Sequence, residues 1–469
     1  MSIIHHKKFI LIVMIIMLCN YYTLLTAQET IITRSGITEN KCISYNLGIS
    51  FDYAEIKNIA FRSENIRANG PNAYLISKPL RIESTQQNPF TAFSYVLFSE
   101  KMSDTEIDLF YSTSADSITY TVWTLLETEI NDDSCIYSQM AFLDKTANYL
   151  KYKIVFKTYP TSITLRKIKL SFINPGITTP EMQTVIDAKD KGIKTTMPKV
   201  ITRTEWGCND GENAPLWTPQ YTIVTHLVIH HTAGSNNISQ DYAATVRSIW
   251  SQHTYTNNWG DIGYNFLIDA YGKVYEGRAG GNNAIGAHCG FNGGTMGVSV
   301  MGTYTSELPS DTSTGTLKQL LAWKCTDSKI NPLGNGFHTS SGKDLSVICG
   351  HRDVKSTECP GNAFYAELPE IRNEVNELIK LSPLTQNDIN CYPNPFREIL
   401  QLDIKHINWK YFTIEISDIY GRIIYNTNVS GFESGIKQLN LGTLSNGIYY
   451  LRIVTPTDIL FKTKIIKSR

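Results

Sequence analysis

Between residues 30 and 175 the apolar positions fall in short runs separated by polar turns. The runs 73–76 (AYLI), 93–98 (FSYVLF), 118–123 (ITYTVW) and 152–156 (YKIVF) are rich in β-branched and aromatic side chains, which suit a pleated, half-buried surface. Regular short strands of this kind predict an all-β sandwich over 28–175. Residues 176–198 lose the alternation and carry Thr-Pro and mixed charge, which predicts a linker with a short helix around 181–188. From Lys199 the period becomes mixed. Strands are predicted at 223–229, 264–270, 274–276, 296–301 and 345–349, with Tyr271, Gly272 and Lys273 turning a hairpin between the second and third. Helices are predicted from a cap at Ser239 or Asp241 through Trp250, over 316–324, and along an amphipathic stretch at 364–381. The pattern is that of a mixed α/β domain over 199–381, a central sheet flanked by helices. Near residue 382 the composition shifts again, and short strands at 400–404, 413–416, 423–425, 437–441 and 447–453 predict a small β-sandwich over 388–469.

The first residues stand outside this scheme. His5, His6, Lys7 and Lys8 precede a continuous apolar run, 9–18, and Leu25-Thr26-Ala27 is a small-residue cleavage site. This predicts a signal peptide over 1–27 with Gln28 as the first mature residue. No second long apolar stretch follows, so no transmembrane segment is expected after cleavage. Eight cysteines lie beyond the leader: Cys42, Cys135, Cys208, Cys289, Cys325, Cys349, Cys359 and Cys391. Export permits disulfides, and Cys325 with Cys349 is one candidate pair. A thiolate given to a metal would leave at least one other cysteine without a partner. Lys+Arg and Asp+Glu are both 43, and this neutral balance gives no basic excess for gripping nucleic acid.

Candidate chemistry gathers in the middle segment. His230 ends the apolar strand LVIHHTA, and His351 ends a second one in VICGHRD. Cys359 follows His351 by eight residues, in STECPG. Neighbouring strand ends can bring two imidazoles to one sheet edge, and the following loop can return a thiolate to them. Two His and one Cys leave a fourth tetrahedral position open, which is the catalytic pattern for Zn2+. Each residue taken alone also fits a plainer role: a structural histidine at a strand end, or half of a disulfide.

The segments 229–233 (IHHTA), 263–268 (GYNFLI), 350–353 (GHRD) and 357–361 (TECPG) resemble the motifs of peptidoglycan recognition proteins, which belong with the phage-lysozyme-like zinc N-acetylmuramoyl-L-alanine amidases. The resemblance runs from about Val200 to Leu381, and 201–207 (ITRTEWG) is similar to the segment that leads into that core. It implies that His230, His351 and Cys359 are the zinc ligands and that Tyr264 is the catalytic tyrosine. It implies that Thr357 is a second catalytic residue, at the position where some relatives carry a catalytic lysine and others a threonine. It places His288, Arg278 and Asn265 along the substrate groove, and leaves His231 as a neighbouring or supporting group. The implied reaction is attack of a zinc-activated water on the amide between muramic acid and L-alanine, with peptidoglycan or muropeptides as partners. Relatives that only bind peptidoglycan typically lack the cysteine. A binding protein or a surface adhesin is the alternative reading.

The C-terminal segment has a resemblance of its own. Residues 392–396 (YPNPF), 416–422 (ISDIYGR) and 444–450 (LSNGIYY) are similar to the type A sorting domain of type IX secretion. That implies recognition by outer-membrane secretion machinery, and a product that is secreted or held at the surface of a Gram-negative bacterium.

Overall fold

The structure, a computed structural model, describes residues 27–468 apart from 34–37, 48–52, 63–64, 83–88, 100–105, 133, 145, 162, 188–196, 235, 237–240, 381–388, 405–408, 433–434 and 455–458. The expected leader, Ala27 excepted, lies outside the described residues. So does Ser239 as a helix cap. The described residues form two compact units, one from within 1–191, 198–317 and 333–371, the other from within 192–197, 318–332 and 372–469.

In the first unit, residues up to 174 build two antiparallel sheets. One has Glu39–Asn46, Leu165–Asn174, Ala92–Ser99 and Cys135–Ser138 as consecutive neighbours. The other runs Thr124–Leu126, Ile107–Ser114, Tyr149–Phe156, Tyr74–Ser77 and Tyr53–Lys57. Along Tyr149–Phe156 every second residue is buried, the period expected of a strand with one face on a core. Leu75, Leu109, Leu150 and Ile154 from one sheet and Phe93, Leu97, Leu170 and Phe172 from the other share that core. The run 118–123 is not a strand as its composition predicts. Asp116 accepts hydrogen bonds from the amides of Ile118 and Thr119, both at 2.8 Å, and holds the backbone in a turn. Ile118 and Val122 are 83 % and 85 % exposed; Thr121 N donates to Thr113 O, but the strand itself begins only at Thr124.

The mixed part of this unit is a six-stranded sheet in the order Val200–Ile201, Val274–Glu276, Phe266–Ile268, Thr295–Val300, His226–His231, Ile348–Gly350. His226–His231 is buried along its whole length because parallel neighbours flank it on both sides. Register sets Ile229 opposite Gly350, so His230 and His351 leave adjacent strands side by side. The hairpin expected around Tyr271, Gly272 and Lys273 is present, with Phe266–Ile268 antiparallel to Val274–Glu276. The apolar run 345–349 is split. Lys343–Ser346 pairs with Asn335–His338 in a separate ribbon, and Ile348–Gly350 joins the main sheet. Val347 is the crossing point: its N–H donates to Gly334 O and its carbonyl accepts from Leu227 N.

Asp241 caps the helix Tyr242–Ser251 by accepting from the amide of Ala244, as its position predicts. That helix runs on into a π-helical turn, Gln252–Thr256. The last helix, Asn362–Lys380, begins two residues before its predicted start. The N-terminal sheets and the mixed sheet share a second hydrophobic cluster, in which Ala92, Met140 and Ile173 pack with Tyr242, Val246, Trp250 and Met301.

The C-terminal residues of the second unit form a three-stranded and a four-stranded antiparallel sheet around Phe396, Leu400, Leu402, Ile414, Ile416, Leu451 and Ile453. Ile389–Tyr392 and Ile459–Lys467 are strands beyond those predicted. Among the described residues no helix is long and apolar enough to cross a membrane. None of the eight described cysteines forms a disulfide, Cys325 and Cys349 included.

Candidate metal centre

The parallel register that sets His230 beside His351 also fixes their surroundings. The two rings lie 4.5 Å apart between centroids, and both residues are buried. Gly350 leads from its strand into the short helix His351–Val354, where Asp353 Oδ2 accepts from Gly350 N at 2.8 Å. The loop that follows is folded back by Arg352, whose amide donates to Cys359 O at 3.1 Å and whose guanidinium donates to Asn362 Oδ1 at 2.7 Å and to Glu358 O. Thr357 Oγ1 accepts from Cys359 N at 3.2 Å. These contacts bring Cys359 Sγ to 3.6 Å from His230 Nδ1, and His231 N donates to the same sulfur at 3.4 Å.

One donor atom from each of His230, His351 and Cys359 lies within 4.8 Å of the others, and all three residues are buried. A tetrahedral zinc with nitrogens at about 2.0–2.1 Å and sulfur at about 2.3 Å separates its donors by roughly 3.3–3.6 Å. The sulfur–nitrogen spacing already has that value, so the donor set fits a metal of this kind. Burial pushes the imidazoles of His230 and His351 well below their ordinary 6.5, and neighbouring histidines push them further. Both are therefore neutral near pH 7, with lone pairs to give.

His231 is engaged elsewhere. Its Nδ1 accepts from Tyr304 N at 3.3 Å, and its Nε2 lies 3.3 Å from the carboxylate of Glu127. Tyr264 is buried, its ring 5.2 Å from that of His230 and 5.4 Å from that of His253.

Arg278, Asn265 and His288, expected along a groove, lie in the interior. Arg278 donates to Ile262 O at 2.9 Å and Trp259 O at 3.2 Å, and its guanidinium lies 3.9 Å from the centre of the Trp217 ring. The Asn265 amide donates to Ala284 O at 2.8 Å and Gly281 O at 3.0 Å, and accepts from Gly297 N at 2.8 Å. Both side chains staple the backbone beneath the site. His288 is 3 % exposed and meets His230 directly, Nδ1 to Nε2, at 3.0 Å.

Sequence reasoning missed His253 and the contribution of the N-terminal sheets. His253 Nδ1 accepts from Gly263 N at 3.0 Å, and burial pushes its imidazole down to about 3. Tyr137, Ser138 and Gln139 face Trp259, Tyr264 and His288 across a cavity of about 10 Å³, room for a single water. No motif in either segment announces this contact, since it joins residues more than a hundred positions apart. A much larger cavity, about 810 Å³, lies elsewhere, among Thr178, Asp187, Asp241, Tyr271 and Lys273, and includes no member of the metal cluster.

Residues 220–362 match the N-acetylmuramoyl-L-alanine amidase family, and residues 390–468 match the secretion system C-terminal sorting domain. Peptidoglycan-recognition protein SC2 of Drosophila simulans is 36 % identical over 173 residues, which span 36 % of this chain and 84 % of that protein. The human N-acetylmuramoyl-L-alanine amidase is 32 % identical over 175 residues, 36 % of this chain and 27 % of that one. Among solved structures, Drosophila peptidoglycan recognition protein SD matches at 27 % identity and a TM-score of 0.30, covering 37 % of this chain and 94 % of that one. Through its mixed α/β segment, this chain belongs to the peptidoglycan recognition protein and N-acetylmuramoyl-L-alanine amidase family.

Proposed function

We propose that this chain is an exported, zinc-dependent N-acetylmuramoyl-L-alanine amidase, hydrolysing the amide between muramic acid and L-alanine in peptidoglycan. The observation that carries the reading is the buried trio His230, His351 and Cys359, with donor atoms within 4.8 Å; three protein donors would leave a tetrahedral metal one position for a reactant. The amidase family match and the human amidase relative support it.

In this reading His230 through Nδ1, His351, and Cys359 through Sγ hold the metal. Bound zinc supplies a Lewis acid that polarises the scissile carbonyl and lowers the pKa of a water toward neutrality. The Tyr264 hydroxyl donates a hydrogen bond to the carbonyl oxygen as it gains charge. Thr357, whose oxygen accepts from Cys359 N, holds the ligand loop and keeps its own O–H as a second donor.

The organisation that goes with this function is a signal peptide over 1–27, a β-sandwich over 28–175, a linker over 176–198, the amidase over 199–381 and a sorting domain over 388–469. The sorting-domain match supports delivery by type IX machinery to the surface of, or outside, a Gram-negative cell. Two experiments test the proposal. Purified protein with zinc is incubated with muropeptides, and the products are weighed by mass spectrometry. Release of stem peptides with a free L-alanine amine is expected, whereas bound but intact muropeptides would leave only a binding protein. Deleting 388–469 should strand the protein in the periplasm, and normal secretion of the truncated form would refute the sorting role.

A further inference from the structure

His288 has no task in the reaction as proposed, yet it is the imidazole hydrogen-bonded to ligand His230, and its whole environment is built. The rings of His230 and His288 meet nearly edge to face, with centroids 4.9 Å apart at 80°. The backbone leaves a slot for the His288 ring. A Cβ on Gly286 would fall 2.4 Å from its Cδ2, and one on Gly297 would fall 2.5 Å from the same atom. Asn292 Oδ1 accepts from His288 N at 2.8 Å and from Cys289 N at 3.2 Å, which pins the turn that carries the ring.

With the Thr295 hydroxyl proton on its shorter contact, 2.8 Å to Asn292 O against 3.2 Å to His288 Nε2, the hydrogen bonds leading away from His230 run in one direction. Asn292 O is a carbonyl and can only accept; Thr295 Oγ1 donates to it at 2.8 Å. The Thr295 oxygen then accepts from His288 Nε2, 3.2 Å away, so the His288 proton sits on Nε2. His288 Nδ1 is left bare, and the group it faces at 3.0 Å is His230 Nε2, which must donate. With its proton on Nε2, His230 keeps the lone pair on Nδ1, the atom 3.6 Å from Cys359 Sγ. Starting from the metal gives the same answer, because a ligand nitrogen at Nδ1 requires the proton to be on Nε2.

We infer that His288 is a positioning residue: through the chain Asn292–Thr295–His288 it fixes the tautomer and ring orientation of His230 and so aims Nδ1 at the metal position. The inference rests on the metal site of the proposed amidase, but not on hydrolysis. Partners of this kind are worth about 10–100-fold in metal affinity.

The test measures zinc dissociation constants by chelator competition for the full chain, His288→Ala and Thr295→Val. Zinc should bind about 10–100-fold more weakly to His288→Ala, and more weakly, by a smaller factor, to the nearly isosteric Thr295→Val. A groove residue would instead change KM and leave zinc binding intact. If His288→Ala folds and holds zinc within about twofold of wild type, the inference is overturned. If His288→Ala does not fold, Thr295→Val and nitrogen NMR of histidine-labelled, metal-free wild type decide. The His230 proton on Nε2 upholds the inference, and a proton on Nδ1 overturns it. Absence of hydrolysis by wild type that still binds zinc would defeat the amidase reading and leave this one standing.

Discussion

Replacing Cys359 by serine separates the metal site from the fold that surrounds it. The thiol is 4 % exposed, sits 3.6 Å from His230 Nδ1 and accepts from His231 N. Serine keeps an acceptor for that amide and is only slightly smaller, so the metal-free variant should lose no more than about 1 kcal/mol of stability. The loss in metal binding is far larger. Structural zinc held by four protein ligands has an apparent binding free energy of about 10–16 kcal/mol, or roughly 2.5–4 kcal/mol per ligand. Removing the thiolate should therefore weaken zinc by about 10²–10³-fold. Chelator competition on the purified full-length variant measures this, and urea unfolding of the metal-free forms measures the stability term. Cys359→Ser binding zinc within about threefold of wild type, or digesting muropeptides at the wild-type rate, would show that the ligand set is wrongly assigned.

Tyr264→Phe should lower kcat on muropeptides by about 10²-fold while zinc affinity stays at the wild-type value, because only a donor to the developing oxyanion is lost. Equal losses in both would place the hydroxyl among the metal's supports. Arg203 and Asp261 form a fully buried ion pair at 3.0 Å, and Asp261 also accepts from Ile262 N and Ala279 N at 2.8 Å. Asp261→Ala leaves the guanidinium buried without its counter-charge and should cost about 3–5 kcal/mol in urea unfolding. At the turn Asp116, hydrogen bonds from Thr119, Ile118 and Ser114 hold the carboxyl down to about 2. A depressed carboxyl stabilises the fold fully above its unfolded value of about 3.9, and that contribution is lost as pH falls through about 2. Asp116→Ala should therefore melt below wild type at pH 7, with the gap closing between about pH 4 and pH 2.

The convergence of His230, His351 and Cys359 was legible in part from the strand ends, while the choice of His230 over His231 and the ligand roles came from the family resemblance. Parallel strands that are buried on both faces read as apolar runs, and a histidine at the end of each run lands on the same sheet edge. The hairpin at Tyr271, Gly272 and Lys273 and the Asp241 cap are likewise matters of a few neighbouring residues. The division of 345–349 at Val347 was not legible, because it depends on Gly334 taking the N–H of that residue and Leu227 taking its carbonyl. The start of the strand expected at 118–123 fails for a local reason, since the Asp116 carboxylate takes the amides of Ile118 and Thr119. Burial separates the site residues further. Arg278 and Asn265 carry groups suited to a substrate, but long-range packing turns them onto backbone carbonyls. Spacing along the chain has no means of showing which way such a side chain faces.

The hydrophobic cluster shared by the N-terminal sheets and the mixed sheet bears on how such a chain can be recombined. Ala92, Met140 and Ile173 cover Tyr242, Val246 and Trp250. Asn40 Nδ2 donates to Ser251 Oγ at 3.0 Å, and Gln252 Nε2 donates to Ser138 O at the same distance. Lys169 Nζ reaches the carbonyls of Tyr255 and Thr256 at 2.6 and 3.0 Å. A junction cut at the linker would strip the cover of Ala92, Met140 and Ile173, which includes the cover over the Trp250 indole, and several polar partners from one helix and the turn after it. The mixed α/β segment is thus not a cassette to be exchanged between carriers. Its helix face and the preceding β-sheet have to change together, and the smallest heritable piece that keeps this packing intact contains both.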